Sequence, residues 1–207
     1  MNLTAAEKSL EKVEGNLQLV LERRERMLKT SRDVILASSR AIVLLHSRKK
    51  AEARAEIERA VKLLDEMRKD GKGSLSRYLV SPEAEFVEAS TVEAVVLDKP
   101  VPDAQALGVS DEAYLLGLLD SVGELKRMLL VSITAGKTEN ATEYFEMMER
   151  LYALLSPFAV FDNVVNGVRR KIDVARMITE DTRGILAEET RRQVLLSSIE
   201  RLQRRVK

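Results

Sequence analysis

The 207-residue chain has no cysteine and no tryptophan, a single histidine, and only four prolines and nine glycines. Each shortage excludes something. Without cysteine there is no disulfide, zinc–thiolate site, iron–sulfur cluster or thiol nucleophile. One histidine, His46, excludes any site that takes two histidines from one chain. Aromatic residues make up 4% of the chain. That is too few for an all-β fold, which draws on aromatic and β-branched strands and frequent turns. No apolar run approaches the roughly 20 residues of a membrane span, so no membrane partner is expected. Residues 1–14 carry a charge every few positions, unlike a secretory leader. The expected location is cytoplasmic.

What is abundant points to helices. The chain is 45% hydrophobic and 32% charged, and rich in Leu, Glu, Arg and Ala, which suit long helices. Its net charge of +1 is unevenly spread: +4 over residues 1–70, −5 over 71–140 and +2 over 141–207. An acidic middle between basic ends suits a carboxylate metal site serving a polyanion, and equally suits a balanced surface.

Leu10, Val13, Leu17, Val20, Leu21, Leu28, Ile35, Ile42 and Leu45 recur at three, four and seven, predicting one helix through about residue 46. A helix that long overhangs its own domain, and a partner subunit is expected to cover part of it. Further helices are predicted over about 51–69 and 74–97, the latter interrupted at Pro82. After a loop at 99–110 come helices at 111–135, begun by Ser110 and closed by Gly136, and at 139–155, with Thr138 or Asn140 as its cap. The last region, 158–206, has Gly184 as its point of weakness. The fold class is all-α: one domain over 1–207 with six or seven helices.

Acidic pairs are common in such a chain, so the face they occupy matters more than their number. In Tyr114-Leu-Leu-Gly-Leu-Leu-Asp-Ser-Val-Gly-Glu-Leu-Lys-Arg-Met, apolar residues surround nearly the whole helix. Asp120 and Glu124 stack on one side of it, with Ala113, Leu116, Gly117 and Val131. Gly117 and Gly123 flank the pair, and close approach of another helix or a substrate backbone would account for them. On the preceding helix, Glu85 and Glu88 share a face with Tyr78, Ala89, Val92 and Val96, whereas Glu83 and Glu93 point elsewhere and read as solvent residues. Four carboxylates on apolar faces require compensation. They pair with Arg77, Lys126 or Arg127, take up protons, or share a hard cation such as Mg²⁺ or Mn²⁺, which favours oxygen donors.

These segments resemble the translin superfamily, and most closely its catalytic factor X branch. The likeness lies in the Tyr114–Met128 helix and in Glu85-Phe-Val-Glu-Ala. It extends to Leu28-Lys-Thr-Ser-Arg-Asp-Val, Ser38-Ser-Arg-Ala-Ile-Val-Leu-Leu-His46, Lys171-Ile-Asp-Val-Ala and Thr182-Arg-Gly184. It covers about residues 15–185; the tail 186–207 extends beyond it. The resemblance implies a translin-like helical bundle of about seven helices. It implies assembly as an octameric shell that encloses RNA, single-stranded or short duplex, or single-stranded DNA. The assembly is a homo-oligomer or a mixed complex with a translin-like subunit. The factor X branch implies a metal-dependent endoribonuclease, with Glu85, Glu88, Asp120 and Glu124 as catalytic metal ligands for Mg²⁺ or Mn²⁺. Such an ion polarises a phosphoryl oxygen and lowers the pKa of a bound water. Translin proper lacks the full set and mainly binds nucleic acid, so a non-catalytic binder is the alternative.

RNA phosphates call for lysine and arginine. Arg32 and Arg40, about 80° apart around the first helix, and Arg127, close to the acids, are the candidates. Arg127 serves equally to neutralise those acids. Weaker candidates are Arg23-Arg24-Arg26, Arg48-Lys49-Lys50, Arg169-Arg170-Lys171 and the run from Arg201 to Lys207. With few aromatics for base stacking, binding is expected to tolerate sequence and to weaken with salt. His46 reads as a packed or capping residue. Tyr78, Tyr114, Tyr144 and Tyr152 read as core, and Met147-Met148 as a packing position.

Overall fold

The apolar spacing of the first segment produces a single helix, α1 (Thr4–His46), of 43 residues. At 1.5 Å per residue it is about 65 Å long. Its two halves differ. Leu10, Val13, Leu17 and Leu21 are exposed, and the buried face starts only at Met27 and continues through Val34, Ala37, Ala41, Ile42 and Leu45. That face packs on α2 (Lys50–Asp70), whose buried residues are Ala53, Ile57, Ala60, Leu64 and Met67. Alanines at 37, 41, 53 and 60 keep the ridges low, so the helices approach closely. Phe86 and Ala89 of α3 (Val80–Val96) close this cluster, with Leu107 and Val109 packed against it.

The computed structural model describes residues 2–206; Met1 and Lys207, at the ends of two charged segments considered above, lie outside them. The chain forms two compact units. One takes the residues through Glu93 together with Pro102–Ala113; the other takes Ala94–Val101 and the residues from Tyr114 onward. Among the described residues there are seven α-helices and two 3₁₀ segments, and no strand. No described helix is long and apolar enough to cross a membrane.

In the first unit, the segment expected as one helix from 74 begins as a 3₁₀ turn, Gly73–Tyr78, before α3 starts at Val80. Pro82 falls within the first turn of α3, where its missing N–H costs nothing. The loop before residue 110 contains a one-turn helix, α4 (Ala104–Leu107), capped by Asp103, whose side chain accepts from the Ala106 N–H.

In the second unit, α5 (Asp111–Thr134, from Tyr114) is buried along most of its length, from Leu115 to Leu129. Ser110 begins it as expected, its hydroxyl accepting from the Ala113 N–H. Gly136 ends it at φ +69°, a left-handed conformation that glycine adopts without a Cβ penalty. Neither Thr138 nor Asn140 caps the next helix, α6 (Thr138–Leu155): Lys137 holds the cap position and makes no side-chain cap bond. A 3₁₀ segment, Ser156–Phe161, leads to α7 (Val168–Val206). Several buried hydroxyls within helices bond to the carbonyl four residues back, as Ser121 does to Gly117 and Thr179 to Ala175, whereas Ser38 and Ser90 Oγ have no hydrogen-bond partner among the described residues.

Gly184 does not break α7, which continues through it. A Cβ at this position meets nothing within 4 Å. Gly184→Ala is therefore expected to stabilise the fold by about 0.5–1 kcal/mol, read as a higher urea midpoint at unchanged slope. A lower midpoint would mean that the position serves a contact.

Candidate functional site

Glu85 and Glu88 lie one turn apart on the part of α3 that belongs to the first unit, and both are half-buried. Asp120 and Glu124 lie one turn apart on α5 in the second unit, also half-buried. Each pair therefore shares a helix face, as the spacing requires. The solvent assignment of Glu83 and Glu93 is corrected: they are 3% and 8% exposed. A helical wheel orders residues around α3 but assumes a solvent side, and α3 is buried on nearly every side, from Pro82 to Ala94.

Both buried acids find a cationic partner within the first unit. Glu83 accepts from the Ser110 backbone N–H and hydroxyl at 3.1 Å each, and from the Arg68 guanidinium at 3.4 Å. It thereby fastens α2 and the start of α5 to α3. Glu93 takes Arg54 at 3.0 Å on one oxygen, while Oε1 is buried without a hydrogen-bond partner among the described residues.

Of the expected partners of the α5 pair, Arg127 is found beside Glu124, whereas Asp120 takes one that was not expected. Asp120 is clasped by the ammonium of Lys171, which bonds to both carboxylate oxygens across from α7. Arg127 lies 3.7 Å from Glu124, which favours the neutralising role over a free RNA contact. Lys126 instead holds Asp181, and Arg77 bonds to Tyr78. In the sequence Lys171 stands in a basic run and opens the Lys171-Ile-Asp-Val-Ala segment, and neither names a partner for it. Its match to Asp120, 51 residues away, is a tertiary fact that no periodicity encodes.

Arg32 and Arg40 are exposed on α1, with Arg127 exposed on α5. His46 is the last residue of α1 and half-buried. The four tyrosines are half-buried rather than core, because their hydroxyls seek polar surroundings; Met148 is fully buried and Met147 half-buried. Gly123 has no atom within 4 Å of a Cβ built on it, so the close approach expected there is not observed.

The four acids offer only oxygen donors, the chemistry a hard divalent cation prefers. Among the described residues, however, no three His, Cys, Asp or Glu side chains gather as a metal-holding group. A cation at Asp120 would also compete with the Lys171 ammonium. The donors of both pairs are of the right kind for such an ion.

Comparisons with known proteins give the lineage. The Translin family model matches residues 73–178, about half of the chain, including α3 and α5. An uncharacterised protein of Methanocaldococcus jannaschii is 35% identical over 127 residues, covering 61% of this chain and 57% of that protein's length. Among solved structures, AfC3PO in complex with duplex RNA superimposes with a TM-score of 0.82 at 29% identity, covering 90% of this chain and 98% of that one. AfC3PO by itself gives a TM-score of 0.82 at 30% identity, over 90% and 99% of the two chains. Apo-NeC3PO gives 0.77 at 20% identity, over 87% and 96%, a likeness of fold. With its all-helical architecture and the family model spanning both carboxylate-bearing helices, this chain belongs to the translin family.

Proposed function

We propose that this chain binds RNA through its phosphates, and that it hydrolyses RNA with Mg²⁺ or Mn²⁺. The observation that carries the first part is the match over 98% of the length of a chain solved with duplex RNA. Basic side chains exposed on α1, among them Arg32 and Arg40, supply the charge that phosphates require. The second part rests on the chemistry of Glu85, Glu88, Asp120 and Glu124. All four are half-buried carboxylates, in pairs one turn apart, and together they offer the oxygen donors that a hard divalent cation takes. They are the proposed metal ligands and catalytic residues, and the bound ion would supply Lewis-acid chemistry at a phosphoryl oxygen. An oligomer, a homo-octamer or a mixed complex with a translin-like subunit, belongs to the same reading. The exposed leucines and valines over the first half of α1 support it, since a monomer rarely leaves so continuous an apolar stripe in water.

A non-catalytic binder is the second reading. It is favoured by the ion pairs of Asp120 with Lys171 and of Glu124 with Arg127, which leave neither acid in need of a metal.

Binding is measured with labelled single-stranded RNA and a short RNA duplex in EDTA, with single-stranded DNA as competitor. The logarithm of the affinity is expected to fall linearly with the logarithm of salt concentration, by about 0.7 per neutralised single-strand phosphate. Adding Mg²⁺ or Mn²⁺ is then expected to start cleavage. An absence of binding at low salt would remove the whole reading; binding with no cleavage in either metal would leave the non-catalytic one.

A further inference from the structure

In the first unit, three side chains meet at the junction of α1 with the 3₁₀ turn Gly73–Tyr78. The Tyr78 hydroxyl accepts from Arg24 Nε at 2.8 Å and from a terminal nitrogen of Arg77 at 3.3 Å. Both guanidiniums also lie over the tyrosine ring, with Cζ 5.5 Å and 5.1 Å from its centroid. Among the described residues, no carboxylate closes an ion pair with Arg24 or Arg77. The nearby Asp70 is engaged by Arg26 at 3.0 Å.

The arrangement is built rather than fortuitous. Tyr78 and Leu79 pack against the buried trio Met27, Met67 and Leu75, which seats the ring one turn along α1 from Arg24. Gly73, at φ +61°, turns the chain from α2 into the 3₁₀ segment. A Cβ at Gly71 would stand 2.8 Å from Leu79 Cδ1 and 3.1 Å from Met27 Cε, so a larger residue there would push on the side chains that seat the segment against α1.

The chemistry of the cluster is incomplete. A phenol oxygen that accepts two N–H bonds still has its own O–H to donate. Arg24 and Arg77 each keep unused N–H donors, and two positive charges face one another across a single oxygen. Every remaining valence is a donor, which suits an acceptor-only anion with several oxygens. The hydrogen bonds from Arg24 first and Arg77 second, and then their charges, hold the Tyr78 hydroxyl below its ordinary pKa.

We propose that Arg24, Arg77 and the Tyr78 hydroxyl form a phosphate-binding site whose ligand is a phosphodiester of the RNA backbone. The inference rests on the RNA-binding reading and gives it a specific contact that does not involve Arg32, Arg40 or the carboxylates.

The test measures binding of a labelled single-stranded RNA of about twenty nucleotides across a salt series, in EDTA. It compares the full-length wild type, the double variant Arg24→Gln with Arg77→Gln, and Tyr78→Phe. A control, Arg59→Gln with Lys62→Gln, removes the same charge from exposed positions on α2. The double variant is expected to bind about tenfold more weakly at 0.1 M salt, with a slope shallower by about 0.7. Tyr78→Phe keeps the ring in its seat and is expected to lose a few-fold, and the control stays near wild type. Melting curves confirm that each variant is folded. If wild type binds RNA and the double variant matches it in affinity and slope, or the control loses as much, the site is overturned and RNA binding stands. If wild type binds no RNA, both fall. Inorganic phosphate at matched ionic strength is expected to compete no better than chloride; strong competition would assign the site to free phosphate and overturn the phosphodiester.

Discussion

Replacing Glu83 by alanine is expected to cost the fold about 2–4 kcal/mol, the largest single loss outside the apolar core. The Glu83 side chain is 4% exposed and accepts from three groups, the Ser110 N–H, the Ser110 hydroxyl and Arg68. Alanine leaves the Ser110 N–H without its acceptor and opens a cavity beside Pro82 and Ala84, which are themselves buried. Arg68 suffers less. It is 28% exposed and keeps Asp65 at 2.9 Å, which sets the estimate below that for a fully buried pair. Glu83→Gln keeps an acceptor for Ser110 and gives up only the charge, so it should lie between wild type and Glu83→Ala. The comparison is Glu58→Gln, whose pair with Arg54 is exposed on both sides and is expected to change stability by less than about 0.5 kcal/mol. Urea midpoints with unchanged slopes give all three values. A Glu83→Ala protein within about 0.5 kcal/mol of wild type would show that the latch is ornamental.

Glu83 also marks where sequence reading reaches its limit. The long first helix, its α2 partner and the buried α5 were legible because their apolar residues repeat at helical spacing over many turns, and noise averages out. The start of α5 at Ser110 and its end at Gly136 were legible because both residues act through the local backbone. The failures are of another kind. Glu83 and Glu93 look like solvent residues on a wheel, yet what buries them is decided by Arg68, Ser110 and Arg54, at distances of 15, 27 and 39 residues. Gly184 looked like a break, but an exposed helix interior tolerates glycine at about 1 kcal/mol when the rest of α7 continues. The carboxylate pairs themselves were found correctly as faces. The ammonium of Lys171 on Asp120 was not, because a basic run names no partner.

That ammonium yields the second large effect. Asp120→Asn is expected to lower metal-dependent RNA cleavage by about 100-fold or more, since an amide is a poor ligand for a hard cation and carries no charge. The fold should barely respond. The Asp120 and Lys171 side chains are 35% and 39% exposed, and a pair so accessible to water is worth less than about 1 kcal/mol. The contrast with Glu83 thus separates loss of chemistry from loss of structure in one pair of variants. Lys171→Met has the opposite sign. A divalent ion at Asp120 must first displace the ammonium, so removing Lys171 should lower the half-saturating Mn²⁺ concentration by about three- to fivefold, the equivalent of an exposed ion pair. Cleavage rate against Mn²⁺ concentration, with EDTA as the zero point, measures both. If Asp120→Asn keeps more than a tenth of the wild-type rate, or if Lys171→Met raises the Mn²⁺ requirement, then Asp120 serves α7 through an ion pair and the chain holds RNA without cutting it there.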